Sequence, residues 1–329
     1  MKMTTRAGAW RMAVRRACVA AAIALAAAHA CAQSPWGADY FPNVTLTTQD
    51  GATVRFWDDL LKDKSVVINL FYTSCTNVCP LETAKLVQVQ QRFGARMGRD
   101  IYFYSIAIDP WDTPAEMKAY AGKFHVGPGW LFLAGKAEDV QLIARKLGLR
   151  RATDAQNPDG HAASLMIGNV PAGLWMRQSG TDNPQFLATQ IGNFLGWPPD
   201  QPGADYAAAR PLDISRAQAV FQSRCAACHT IGRGDRVGPD LQGVTLRRER
   251  AWLTRFIAES DRMRTEGDPL ALDLYQRYNR VPMPNLGLGE EDVAALLDYL
   301  RERTQAGLAA DVTQMPKAPP QPPVSTPSR

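Results

Sequence analysis

The chain has 329 residues, enough for two domains, and 46% of them are hydrophobic, so it can build packed cores. Its formal net charge is +5, but five of the 37 basic residues fall within the first 16 positions. Without that segment, 32 basic residues balance 32 acidic ones, which excludes a strongly basic protein and gives no case for nucleic-acid binding.

The basic start leads into an Ala-rich apolar segment, ACVAAAIALAAAHA at 17–30, which is too short to span a bilayer comfortably. This pattern predicts a secretory signal peptide over residues 1–32 rather than a buried N-terminal helix. Cleavage fits after Ala30 or Ala32, and Cys31 leaves lipidation open. We therefore expect an exported protein, tethered to a membrane only through an uncleaved signal or a lipidated Cys31.

Residues 33–200 alternate short apolar runs with helical patterns, which predicts an α/β domain whose central sheet is covered by helices. Strands are expected at 65–72 and 101–108 because these runs are rich in β-branched and aromatic residues. Helices are expected to begin within 75–80 and near Pro114. The alternation continues through WLFLAG, AEDVQLIARKLGL, SLMIGN and AGLWMR.

A Pro/Gly-rich interruption, WPPDQPGAD, predicts a linker, which we place at residues 201–212. Beyond it only helical spacing remains, so residues 213–306 are expected to form an all-α domain. The strongest apolar stripe lies in the last helix and is formed by Val293, Leu296, Leu297 and Leu300. Residues 307–329 are Pro-rich towards their end and predict a disordered tail.

CAACH at 225–229 is the most specific motif in the chain. Two cysteines separated by two residues and followed by histidine fit covalent attachment of haem, with His229 as the proximal iron ligand. The domain contains no second Cys/His pair that could complete a zinc tetrahedron. GPDLQG at 238–243 follows at the distance expected for a loop that covers a bound haem. Met283, in VPMPNLG, lies just before the last helix.

The segment 213–306 therefore resembles a class I cytochrome c. The resemblance implies haem c bound through thioether bonds to Cys225 and Cys228, with His229 and Met283 as the axial iron ligands. Met263 is the rival sixth ligand, but it lies in a charged stretch without flanking prolines.

FYTSCTNVCP at 71–80 places Cys75 and Cys79 four residues apart, so on a helix both sulfurs would share one face. A disulfide across so short a loop constrains the unfolded chain little, and the pair therefore indicates function rather than stability. The spacing suits a metal clamp or a closable dithiol. His125 is expected on the surface at a helix end. His161 precedes an apolar strand, near a sheet end where sites gather, and two thiolates with one imidazole form a soft ligand set that favours copper.

Residues 36–200 resemble the Sco/SenC family of thioredoxin-fold copper chaperones, which serve the copper A centre of cytochrome oxidase. The matching pieces are C-x-x-x-C-P at 75–80, Asp109-Pro110, GWLFLAG at 129–135 and DGH at 159–161. The resemblance implies Cys75, Cys79 and His161 as copper ligands. It also implies that Asp109 lies near the site and supports the ligands through hydrogen bonds or its charge without binding the metal. The chain departs from the family at Asn77, where an acidic residue is common, and is one residue shorter between Asp109 and Asp112.

Together these features predict a thioredoxin-like copper-binding domain followed by a cytochrome c domain. We expect a copper chaperone and metallation factor for the copper A centre, with a fused one-electron carrier. The copper-site subunit of cytochrome c oxidase is the expected partner, and other copper chaperones or redox carriers are further candidates. Since covalent haem attachment and Cu(I) traffic by this family occur outside the cytoplasm, the expected location is the bacterial periplasm.

Two other interpretations stay open. The cysteine pair could be a thiol–disulfide reductase that prepares the cysteines of a copper-site partner, or the chain could be an electron-transfer cytochrome with a redox-sensing or docking module. Dithiol pairs have potentials of roughly −120 mV or lower, whereas Met/His ligation raises the haem potential. Electrons would therefore run from dithiol to haem, and exchange of single electrons between copper and haem is easier to justify than disulfide reduction by the haem.

Overall fold

The computed structural model describes residues 36–149, 163–198 and 214–314. The expected signal peptide with Cys31, the candidate ligand His161 and the linker at 201–212 lie outside these ranges. Within them, an α/β domain is followed by a helical domain, and the predicted fold class is confirmed.

The first domain contains a seven-stranded sheet in the order β2-β1-β5-β4-β3-β6-β7. Its strands are β1 (Thr45–Thr48), β2 (Thr53–Arg55), β3 (Ser65–Phe71), β4 (Tyr102–Ala107), β5 (Trp130–Ala134), β6 (Ser164–Asn169) and β7 (Leu174–Ser179). Its helices are α1 (Val78–Phe93), α2 (Pro114–Lys123), α3 (Ala137–Lys146) and α4 (Pro184–Phe194), besides a wide helical turn at Phe56–Leu61.

The strand pairing brings several chain segments to one edge of the sheet. β3 runs parallel to β4, and β4 runs parallel to β5, so the carboxyl ends of all three meet at the same edge. β6 is antiparallel to β3, with Ile68 opposite Met166, so β6 begins where β3 ends. The segment after β3 and the segment before β6 therefore meet at this edge.

Strand β3 is buried on both faces, as expected for a central strand covered by helices. Val67 and Phe71 pack in the core that contains α1, while Val66, Ile68 and Leu70 pack in the core that contains α3. Alternate side chains along β3 thus pack in two separate cores, one on each face of the sheet.

The second domain is built from five helices among the described residues: α5 (Arg216–Val220, continued by a wider turn at Phe221–Cys225), α6 (Val244–Arg247), α7 (Arg250–Thr265), α8 (Pro269–Arg277) and α9 (Glu290–Gln314). All four residues of the predicted stripe in α9 are buried in its core. Helix α9 extends to Gln314, past the predicted boundary at residue 306, because GLAADVTQ at 307–314 contains several good helix formers. None of the described helices has the length and apolar character needed to cross a membrane.

Candidate functional site

The first cysteine pair lies where β3 ends and α1 begins. Cys75 belongs to the loop before α1, and Cys79 belongs to the first turn of the helix. The expectation that one helical turn carries both sulfurs is therefore wrong, because the helix begins only at Val78. The thiols nevertheless come together, since the backbone N–H of Cys79 donates to Sγ of Cys75 at 3.4 Å.

The two thiols differ in acidity and in access. A hydrogen bond from the Cys79 side chain lowers the pKa of Cys75 to about 6, against the opposing effect of burial. Burial, followed by the proximity of Cys75, raises the pKa of Cys79 well above its usual value. Cys75 is also 5% exposed and Cys79 0%. Cys75 is therefore the thiolate and the more accessible sulfur of the pair.

Asp112 is hydrogen-bonded to the segment between β3 and α1 (residues 72–77, the cysteine loop), which carries Cys75. Its carboxylate, which is buried, accepts the backbone N–H of Thr73 at 3.0 Å and a short hydrogen bond from the Thr73 hydroxyl. Asp109, singled out from the sequence, instead accepts the backbone N–H of Trp111 at 3.0 Å. Sequence reasoning missed Asp112, although its position directly before the α2 cap, Thr113, was a signal that its backbone is fixed.

A buried polar chain runs from the sheet to the helix that carries Cys79. The indole N–H of Trp130 donates to Ser105 Oγ (2.9 Å), whose hydroxyl donates to Asn69 Oδ1 (2.7 Å). The Asn69 amide then donates to Glu82 Oε2 at 3.0 Å. In the described part of the chain, Glu82 Oε1 has no hydrogen-bond partner. Burial raises the pKa of Glu82 to about 8, so this carboxyl is neutral at pH 7.

Of the two histidines weighed for the first site, only His125 lies within the described residues, and it is on the surface as the sequence predicted. His125 is exposed at the end of α2, where it adopts a left-handed backbone with φ of 56°. His161 lies outside the described residues, but Ser164, three positions later, opens β6 at the edge that carries Cys75. Within the described ranges, no cluster of three His, Cys, Asp or Glu side chains forms a metal site.

The helical domain contains a cavity of about 530 Å³, within the range usual for cofactor sites. Cys225, Cys228, His229 and Met283 all line it, so the structure brings the four predicted residues together. Its other lining residues are mainly apolar, and five arginines, a residue type suited to bind carboxylates, also line it: Arg224, Arg247, Arg248, Arg264 and Arg277.

Hydrogen bonds orient the two candidate axial ligands. His229 Nδ1 lies 2.8 Å from the carbonyl oxygen of Pro239, so a proton on Nδ1 leaves Nε2 free as a lone-pair donor. Gly238 permits this approach, because a Cβ there would come within 2.6 Å of the imidazole. The Ser260 hydroxyl donates to the Met283 carbonyl at 2.8 Å. Met263 is 1% exposed in the core and is absent from the cavity wall.

Comparison with known proteins matches the same two regions. The SCO1/SenC family model matches residues 34–191, and the Cytochrome c model matches residues 214–304. The chain carries a SCO1/SenC domain followed by a cytochrome c domain. The predicted fusion is confirmed, and the cytochrome c domain implies covalently bound haem c.

Individual relatives match one domain each. The SCO1 protein homolog of Bacillus subtilis is 28% identical over 105 residues, and the match covers 31% of this chain and 53% of the relative. This chain thus spans about half the length of that relative. The cytochrome c-553-like protein of Synechocystis sp. is 26% identical over 115 residues, 35% of this chain and 90% of that protein. The crystal structure of a SCO1/SenC family lipoprotein from Bacillus anthracis covers 48% of this chain and 94% of its own, with 23% identity and a TM-score of 0.41.

The residues around the helical cavity fit haem c. The cavity provides two thiols for thioether bonds, an imidazole nitrogen and a thioether sulfur for iron, and apolar walls for the macrocycle. The second cysteine pair of the chain therefore has a use that needs no disulfide.

We expect the reduced, metal-free protein to be alkylated at Cys75 with a midpoint near pH 6, while Cys79 resists alkylation because it is buried and protonated. Cys79→Ala removes the thiol that stabilises the Cys75 thiolate, so the Cys75 pKa should rise towards its ordinary value. Alkylation at pH 7 should then slow roughly tenfold. Iodoacetamide rates followed by mass spectrometry measure both effects. A Cys75 midpoint at pH 8 or above in the unmodified chain would contradict this assignment.

Replacing Glu82 by Gln should remove a pH dependence of stability. The pKa of Glu82 is about 8 when folded, against 4.5 for the exposed group, so the folded state binds the extra proton. This contribution is complete below pH 4.5 and is lost as pH rises towards 8, by about 1.4 kcal/mol per pH unit at most. Urea unfolding of the reduced protein between pH 5 and 8.5 should show a steeper fall in the unfolding free energy for the unmodified chain than for Glu82→Gln. Equal slopes would refute the buried-acid assignment.

Substitution of the two methionines should separate iron ligation from packing. Met283→Ala should abolish the thioether–iron absorption of the ferric protein and lower the haem potential, because a sulfur ligand is lost. Met263→Ala should keep that absorption and cost about 2–5 kcal/mol of stability, because it leaves a cavity in the core. Visible spectra and thermal unfolding of both variants decide between the ligands. Loss of the absorption only in Met263→Ala would reverse the assignment.

Proposed function

We propose that this chain is a copper metallochaperone for the copper A centre of cytochrome c oxidase, in which copper is cargo. The observation that carries the proposal is the thiol pair, in which the Cys79 N–H lies 3.4 Å from Cys75 Sγ where β3 ends. Two sulfurs, one of them a thiolate near neutral pH, form the start of a soft ligand set that favours copper over hard cations.

His161 is the proposed third ligand. It stands three positions before Ser164, the first residue of β6, and an extended chain of three residues reaches about 10 Å. β6 begins at the edge where β3 ends, and the proposal is that His161 reaches the cysteine loop from there. Asp109, which follows β4 at the same edge, is proposed to act from behind the ligands through its charge.

The same edge offers a surface for a recipient protein. Trp111 is 83% exposed, and its neighbour Asp112 is hydrogen-bonded to the cysteine loop through Thr73. Exposed tryptophan is a frequent anchor in protein interfaces. The recipient that we propose is the copper-site subunit of cytochrome c oxidase, with other copper chaperones or redox carriers as further partners.

In the second domain, Cys225 and Cys228 are the proposed thioether attachments, and His229 and Met283 are the proposed axial ligands. Bound there, haem c supplies one-electron transfer. The chain's own contribution is to fix the imidazole through the Pro239 carbonyl and to surround the site with apolar side chains. We place the protein outside the cytoplasm, in a bacterial periplasm, with the tethering routes through residues 1–32 described above.

A thiol–disulfide reductase that prepares the cysteines of a copper-site partner is a second candidate. The specific observation that favours it is the asymmetry of the pair, because an acidic, more exposed Cys75 beside a buried, protonated Cys79 suits attack on a disulfide followed by resolution. The two functions use the same sulfurs and differ in whether His161 matters.

Copper binding by the full-length haem protein therefore tests the proposal, with His161→Ala set against His125→Ala as the matched control. We expect one copper per chain in the unmodified protein and in His125→Ala, since His125 is an exposed residue at a helix end. His161→Ala should bind Cu(I) more than about tenfold more weakly, because even partners behind metal ligands contribute 10–100-fold. Metal analysis after competition with a Cu(I) chelator gives the affinities without interference from haem absorption.

The opposite outcome has a clear meaning. Copper affinity unchanged in His161→Ala, together with rapid reduction of a disulfide substrate by the copper-free protein, would favour the reductase. In that case Cys79→Ser should trap a mixed disulfide between Cys75 and the substrate, because the resolving thiol is missing.

A further inference from the structure

One stripe of α1 faces the cytochrome c domain. Leu81, Lys85 and Gln88 follow one another at i, i+4 and i+7, a spacing that places them on one side of a helix. Lys85 and Gln88 donate hydrogen bonds to the second domain, and Leu81 lines its cavity. The helix that carries Cys79 is therefore also the surface on which the haem domain sits.

Lys85 joins the two domains through directional bonds. Its ammonium group donates to the Ser223 carbonyl of the cytochrome domain at 2.8 Å and to the Thr181 carbonyl of the SCO1/SenC domain. The side chain is 1% exposed, and a buried ammonium is stable only where acceptors compensate for lost water. One acceptor comes from each domain, so the buried Lys85 ammonium has both acceptors only when the two domains are in contact.

Gln88 adds a bond to the haem-attachment motif itself. Its amide donates to the carbonyl of Ala227 at 3.1 Å, and Ala227 lies between Cys225 and Cys228. Ala227 is also buried within the apolar core of the SCO1/SenC domain. The turn that would carry the haem is thus held against α1 by a hydrogen bond from Gln88 and by apolar packing of Ala227.

The segment that carries Met283 contacts the same core. Val281 and Leu286, on either side of Met283, pack against the core cluster that contains α1, as do Cys228 and Val237. The two chain segments that supply the candidate axial ligands therefore share one apolar cluster with α1, in which Ala227 is also buried.

Leu81 completes the cavity wall. It is the one residue of the SCO1/SenC domain among those that line the haem cavity in the described ranges, and it is 5% exposed. It follows Cys79 by two residues, a rise of about 3 Å along the helix axis. One turn of α1 therefore carries Cys79 of the thiol pair and Leu81 of the haem-cavity wall.

We propose that α1 of the SCO1/SenC domain is a built docking surface for the cytochrome c domain of the same chain, in which Leu81 closes the haem pocket and Lys85 and Gln88 fix its orientation. The partner of this face of the cytochrome is thus the copper-binding domain itself. This inference rests on the proposed function in one respect, the binding of haem by the second domain. It does not depend on copper, so it is tested with copper-free protein. Failure of the copper proposal would leave it standing.

The test uses full-length, copper-free haem protein with Leu81→Ala and Lys85→Glu, and two matched controls. Leu86→Ala removes a leucine of α1 that is also buried, at 1% exposed against 5% for Leu81, and that does not line the cavity. Lys62→Glu makes the same charge change at an exposed lysine before β3. The readouts are the haem redox equilibrium and hydrogen exchange of the backbone amides at 78–90 and 225–229.

Leu81→Ala should shift the haem equilibrium towards the ferric form on the order of fivefold, because water admitted to the pocket stabilises the extra positive charge. Lys85→Glu places a carboxylate against two carbonyl oxygens, so amide exchange in both segments should rise at least about tenfold together. Leu86→Ala and Lys62→Glu should leave the haem equilibrium unchanged.

Equal haem equilibria in Leu81→Ala and Leu86→Ala, with exchange in Lys85→Glu no faster than in Lys62→Glu, would overturn the proposal. If Lys85→Glu does not fold, Gln88→Ala removes a single partly exposed amide and should still raise exchange at 225–229 about threefold. No change at that segment in Gln88→Ala would likewise overturn it.

Discussion

Helix α1 is buried on almost every side, and the rest of the structure depends on how that burial is satisfied. Twelve of its sixteen residues are buried, including Glu82, Thr83, Lys85 and Gln90. A helix with this many polar residues is stable in a buried position only where most of its polar groups find partners, and Glu82 Oε1 is an exception among the described residues. The partners come from the sheet, from α2, from the loops at 127–128 and 181, and from the cytochrome domain. The position of Cys79 is therefore fixed by two domains.

Much of this architecture was predictable because it depends on local pattern. The apolar run of β3, the Pro start of α2 and the stripe of α9 each follow from spacing and burial, and all occur as expected. The prediction of Met283 rather than Met263 as the axial ligand also came from local sequence, since prolines flank only Met283, and Met283 is the one of the two that lines the cavity.

What the sequence could not predict lies in tertiary contacts. Glu82 and Lys85 sit in a pattern that suggests a solvated helix face, and only the sheet and the second domain show why both are buried. The role of Asp112 likewise depends on a bond to Thr73, which lies 39 positions away in the chain and beyond any local pattern. Short-range spacing therefore predicted which residues meet and not how they are held.

The division between apolar and polar contacts explains why the domain interface has one orientation. Burial of Leu81 and Ala227 is favourable but non-directional, so it would allow the cytochrome domain to slide or rotate on α1. The hydrogen bonds from Lys85 and Gln88 to backbone carbonyls are directional and fail when the register changes. A shifted register would deprive the buried Lys85 ammonium of the Ser223 carbonyl, one of its two acceptors, which is costly. The apolar residues thus supply contact area, and the two polar residues select the arrangement in which the haem pocket and the thiol pair share a helix.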